Sequence, residues 1–178
     1  MNTAPMTPAA ALLTDGFGRV RESVHAVVSQ LTPAELDEHL EPGTNTVAWL
    51  IWHLTRVQDD HLAEFTGQGQ RWQAEGWHRT FDLPLDAADT GFGHSPEQAA
   101  QVGNIAAEHL SAYHDAVHQA TTTFLGGLSD DDLDQVVDSS WDPPVTLGVR
   151  LVSVLDDDTQ HVGQAAFVAG VLARRRSG

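Results

Sequence analysis

"LDDDTQHVGQAAF", residues 155–167, decides how the chain is read. Projected at 100° per residue, Leu147, Leu151, Val154, Leu155, Val162, Ala165, Ala169 and Leu172 share one face, so the stretch belongs to a core-facing helix. Three consecutive carboxylates interrupt that face, and ionised carboxylates are costly to bury without partners. Asp157 and Asp158, four and three residues before His161, lie on the turn beside it, whereas Asp156 points away. A carboxylate and an imidazole one turn apart can both ligate a single ion. The competing account is a helix end that tolerates acids at a solvated mouth. Spacing alone does not choose between these accounts, nor between Asp157 and Asp158.

Three further helices precede this one. The first is expected from about Ala9 to Gln30, with Leu12, Leu13, Phe17, Val20, Val24, Val27 and Val28 at helical spacing. The second opens near Asn45 or Thr46 and continues through "VAWLIWHLTRVQDDHLAEF". "SPEQ" marks the start of the third: Ser95 as cap, Pro96 at the first helical position and Gln98 closing a capping box. It is expected to run to Leu125, before Gly126 and Gly127, and the fourth runs from near Thr146 to Arg174–Arg176. No strand-like alternation is visible. Two connectors, "LTPAELDEHLEPGTNT" and "LSDDDLDQVVDSSWDPPVT", share a Thr32 or Ser129 cap, an acid three residues on, and a closing threonine. The segment from Thr66 to Ser95 holds five glycines and two tryptophans without sustained period, and reads as an ordered flap over one end. The expectation is a single domain over residues 1–178, an all-α four-helix up-down bundle with a long ordered loop between helices two and three.

With 9 basic against 25 acidic residues, the formal charge is −16. Such a surface repels nucleic-acid phosphates and anionic lipid heads, so neither nucleic acid nor membrane is an expected partner. There is no cysteine, hence no disulfide, thiolate ligand or cysteine nucleophile. Any metal must sit on His, Asp or Glu, and any thiol must come from outside. The N-terminus lacks a basic export signal, and a cytoplasmic location is expected. A homodimer is compatible with such a bundle, although no exposed apolar stripe argues for one.

Ten histidines offer several candidates. His114 and His118 have the HxxxH spacing of metal ligands, but His118 projects opposite the third helix's apolar stripe and His114 onto its flank. That pattern is expected of solvated surface histidines. In the second helix "VAWLIW" is apolar all round, which predicts burial on every side of its first half. His53 follows at once, and a buried imidazole needs a partner for its nitrogens. His61 projects closer to the middle of the same face, so the projection leaves His53 and His61 as alternatives.

"NTVAWLIWHLTRVQDDHLAEF" and "RLVSVLDDDTQHVGQAAFVAG" resemble the second and fourth helices of the DinB/YfiT superfamily. "WDPPVT" and "TGFGHSPEQ" are similar to its mycothiol-dependent actinobacterial branch. The resemblance implies a divalent metal at one end of a bundle, held by a histidine of helix two and an acid-x-x-x-His pair of helix four. On this chain those positions are His53, Asp157 and His161. The branch usually carries glutamate where Asp157 stands, one methylene longer. Its maleylpyruvate isomerases have a further C-terminal domain, for which 178 residues leave no room, so isomerisation is kept only as an alternative.

Three protein ligands leave a coordination position open, the pattern of a catalytic site. Zinc is the default, and nickel, iron or manganese also suit two histidines and a carboxylate. The open position can take the sulfur of a small thiol, mycothiol by resemblance, which would then attack an electrophilic small molecule. Asp60, seven residues after His53, is a candidate acceptor for a ligand histidine. Trp49, Trp72 and Trp77 are candidate cavity-lining residues, with ordinary packing as the alternative. The expected activity is a metal-dependent thiol transfer; the alternatives are a non-catalytic metal-binding stress-related bundle and a thiol-dependent isomerase.

Overall fold

Local chemistry starts each helix where a short polar side chain can accept a free backbone N–H. The computed structural model describes residues 6–178 and contains, in chain order, α1 (Pro8–Val28), α2 (Pro33–Leu36), α3 (Val47–Thr66), α4 (Arg71–Ala74), α5 (Trp77–Phe81), α6 (Pro96–Ala99), α7 (Ala107–Leu125) and α8 (Leu147–Ser177). Thr7, Thr46 and Thr146 cap α1, α3 and α8 through their hydroxyls. Thr32 and Ser95 form full capping boxes with Glu35 and Gln98. The protein is mostly helical, as expected.

The four long helices close a ring: α1 packs on α7 and α8, and α3 packs on the same two. Residue pairs give their directions. Gly16 backs onto Leu155 and Arg176 reaches the Gln30 carbonyl, so α1 and α8 run the same way. Thr55 meets His114 and Gln58 meets Thr121, so α3 and α7 also run the same way. Across those pairs the helices oppose: Arg21 and His25 both hold Asp115 while Met6 lies beside Gly126, and His53 lies beside His161. The order is therefore up, down, down, up, which corrects the simple up-down alternation. Parallel neighbours require a long return connection. The chain supplies one of about 40 residues between α3 and α7.

That return is more structured than the irregular flap expected from sequence, since α4 and α5 lie within it. Its anchor is Asp59, 1% exposed, whose carboxylate accepts the Arg71 and Trp72 amides and the Tyr113 hydroxyl at 2.8–2.9 Å. The Arg56 guanidinium stands 3.8 Å away and lies over the Trp72 ring. "SPEQ" does open a helix, but α6 stops at Ala99 instead of continuing into α7. Asn104 adopts φ +57° and gives its N–H to Asp37 at 2.8 Å, a bend that drops Val102 and Ile105 into the core. A two-stranded antiparallel hairpin, β1 (Val136–Asp138) with β2 (Val145–Thr146), precedes α8. Its strands are too short for alternation to show in sequence. The connector likeness extends to structure: Ser129 and Asp132 exchange the same reciprocal hydrogen bonds as Thr32 and Glu35, around a 3₁₀ turn at Asp131–Asp134.

His114 is a further correction. It is 1% exposed, because α7 is flanked by both α1 and α3 and so buries a wider sector than one stripe. His118, one turn on, is half-buried. Burial holds the His114 imidazole down to a pKa of about 3. The unfolded chain therefore takes up a proton below about pH 6.5 that the folded chain refuses until about pH 3. Stability contributed by this group is complete above pH 6.5 and falls by about 1.4 kcal/mol per pH unit below it. Urea denaturation midpoints of the wild type are expected to drop across pH 6 to 4, and His114→Gln to flatten that slope. Asp59→Ala leaves a buried guanidinium and three donors unmatched, and should cost about 3–5 kcal/mol in the same measurement.

Candidate metal centre

The three acids of the 155–167 stretch meet three different environments. Asp156 is exposed and bonded to Gln160. Asp158 is fully buried with neither oxygen hydrogen-bonded, and burial, with Asp157 adding to it, pushes its carboxyl well above the ordinary range. Asp157 alone joins the histidines: donor atoms of His53, Asp157 and His161 all lie within 4.8 Å of one another. One Asp157 carboxylate oxygen, Oδ2, is buried without a hydrogen-bond partner.

The position of His53 follows from "VAWLIW", whose residues are all buried, as the all-round apolar pattern predicts. The ring, 5% exposed, stacks on Trp49 at 4.5 Å and meets His161 edge-on at 4.8 Å. His53 Nδ1–H donates to the Thr90 carbonyl at 2.6 Å, and His161 Nδ1–H donates to the Asp157 carbonyl at 2.8 Å. These acceptors assign the proton of each neutral ring to Nδ1 and leave each Nε2 with a lone pair. Burial lowers the His53 pKa, against the opposing pull of the Thr90 bond, and keeps the ring neutral.

The acceptor that orients His53 is thus Thr90, whereas Asp60, offered for that role by its spacing, accepts the Gln70 amide. His61 is held by Glu64 at 3.4 Å and stacks on Phe65. Trp49 belongs to the centre. Trp72 and Trp77 do not: they pack with Phe81 and Tyr113 beneath the crossover. His114 and His118 also lie outside the cluster.

Sequence reasoning missed the turn Asp89–Thr90–Gly91 and His94. Asp89 accepts the Gly91 amide and His94 Nε2–H, at 2.7 and 3.0 Å, and His94 Nδ1 accepts the Trp49 indole N–H. Burial acts to raise the Asp89 carboxyl, but His94, the Gly91 amide and Arg56 together hold it below its ordinary value. Gly91 adopts φ +87°, and a Cβ there would stand 2.8 Å from His53 Nδ1 and 2.9 Å from Trp52. The signal available in sequence was the glycine pair of "TGFGH". Beside the cluster a cavity of about 390 Å³ extends between α3 and α8, lined by Asp60, His61, Phe92, Ser153 and Val154 among others.

A helical ring with an open His–Asp–His cluster at an α3–α8 seam defines the class of protein. The sequence profile of the DinB superfamily matches residues 17–165, and the chain belongs to that superfamily. It is similar to the crystal structure of a conserved protein from Enterococcus faecalis, 32% identical, with a TM-score of 0.84 over 89% of this chain and 94% of that one. No curated protein matches the chain.

If the Thr90 carbonyl and the Gly91 cradle fix His53, ¹⁵N-resolved NMR at pH 7 will show its ring protonated on Nδ1 alone. Gly91→Ala should shift that population toward a mixture of tautomers, and an unchanged spectrum would remove Gly91 from the role.

Proposed function

We propose that the protein is a divalent-metal-dependent transferase that conjugates a low-molecular-weight thiol to an electrophilic small molecule. The observation that carries the reading is the convergence of two imidazole nitrogens and a buried carboxylate oxygen that has no hydrogen-bond partner, beside an open cavity. Two imidazoles and one carboxylate suit zinc, with nickel, iron and manganese as chemically acceptable occupants. His53, Asp157 and His161 would hold the ion. A dication beside a thiol favours its thiolate form, which is the nucleophile.

The remaining work falls to the chain itself. Thr90 and the Asp157 carbonyl fix the orientation of the His53 and His161 rings, so no reorientation precedes binding. Trp49 covers one face of His53 and excludes water from it. Asp157 offsets part of the cation's charge, and the cavity between α3 and α8 holds the reactants. Mycothiol is the thiol that the sequence resemblance suggests, and the setting proposed is the cytoplasm. No helix among the described residues is long and apolar enough to cross a membrane.

Zinc-loaded protein is expected to consume thiol in the presence of a generic electrophile such as 1-chloro-2,4-dinitrobenzene, and the chelated protein is not. His53→Ala and His161→Ala should each lower metal affinity by more than about 100-fold, beyond the loss typical of outer-sphere partners. Stoichiometric metal with no thiol consumption would favour a sequestering role without turnover. Retention of metal by both alanine variants would refute the site.

A further inference from the structure

The nine basic residues are all arginines; the sequence contains no lysine. Seven of the nine are ion-paired with acids elsewhere, including Arg56 with Asp59 inside the core. Of the other two, Arg79 lines a separate cavity with Trp52 and Trp72, and Arg174 lies in the last turns of α8. None lines the cavity beside the metal centre. That cavity instead holds two carboxylates, Asp157 on α8 and Asp60 on α3. His61 is its one other titratable lining residue outside the cluster, and it faces Glu64 at 3.4 Å, which offsets any charge it takes up.

We infer that this cavity selects its occupant by charge, accepting uncharged or amine-bearing molecules and turning away carboxylate-bearing ones, with Asp60 as the specificity-determining residue. The inference rests on the metal-dependent reading above. A dication held by Asp157 retains a single net positive charge, and Asp60 cancels it at the range of the cavity. An incoming carboxylate therefore finds no unmatched cation and meets a like charge, in a partly desolvated space where such a contact is weakly screened. Specificity of this kind comes from repulsion built against the wrong ligand. The rest of the lining, Val57, Val154 and the exposed Phe92 ring, gives an uncharged molecule apolar surface to cover.

The test uses the full-length protein loaded with cobalt(II), whose visible and near-ultraviolet bands report ligand entry without turnover. Two probe series are titrated, one of thiols (cysteamine, 2-mercaptoethanol, mercaptoacetate) and one of imidazoles (histamine, 4-methylimidazole, imidazole-4-acetate). Each probe is compared between wild type and Asp60→Asn, which keeps an acceptor for Gln70 and cancels the probes' own basicities. Asp60→Asn should leave cobalt content unchanged, strengthen the carboxylate-bearing probes about tenfold relative to the neutral ones, and weaken the amine-bearing ones. Equal ratios in both proteins, or a carboxylate-bearing probe binding tightest to wild type, overturn the inference. Imidazoles that follow the charge rule while no thiol enters would retain the inference and sink the thiol-transfer reading. A protein that takes up no cobalt sinks both.

Discussion

The hydrogen bond from His53 to the Thr90 carbonyl depends on a topological obligation. Because α3 and α7 run in the same direction, the chain leaving Thr66 must travel back along the bundle before α7 can begin. The return passes His53, and the backbone of residues 89–91 supplies what no neighbouring helix does: a carbonyl at 2.6 Å and a residue without a side chain. The crossover is fastened at several depths. Asp59 takes the start of α4, Arg56 takes the Asp89 carbonyl and Gln70, and Trp49 takes His94. These bonds are buried or partly buried, where leaving a donor unmatched is costly, so the turn is held by penalties as much as by attractions. Parallel topology and the orientation of the His53 ring are therefore one problem with one solution.

What could be read from sequence follows the range of the interaction. Helix starts were readable because a cap is decided within three residues, and Thr46, Ser95 and Thr146 stand where the structure uses them. The burial of "VAWLIW" was readable because it requires only that apolar residues cover the whole circumference. The direction of α7 was not, since the same amphipathic pattern serves either direction. Neither was the break after α6, which turns on an Asn104 bond to Asp37, 67 residues earlier. His114 misled for a related reason: a single-stripe projection assumes one neighbour, and α7 has two. The partner of His53 was beyond such reading, because a backbone carbonyl carries no residue-specific signature. Helical spacing offered Asp60 for the part, and the fold gives it to Thr90 instead.

The run of three aspartates shows how little separates a candidate ligand from a core residue on one helix. Successive positions are turned by 100°, so Asp156, Asp157 and Asp158 point to solvent, to the α3 seam and to the interior in turn. The same functional group then has three electrostatic fates. In water the charge is solvated. At the seam Asp157 stands beside two imidazoles, with one buried oxygen that has no hydrogen-bond partner. In the interior desolvation opposes the charge, and the neighbouring Asp157 opposes it again, so Asp158 is favoured in its neutral form. Asp158 faces the interior and stays out of the His53–Asp157–His161 cluster. Orientation and burial thus sort three identical side chains, and one of them reaches the two imidazoles.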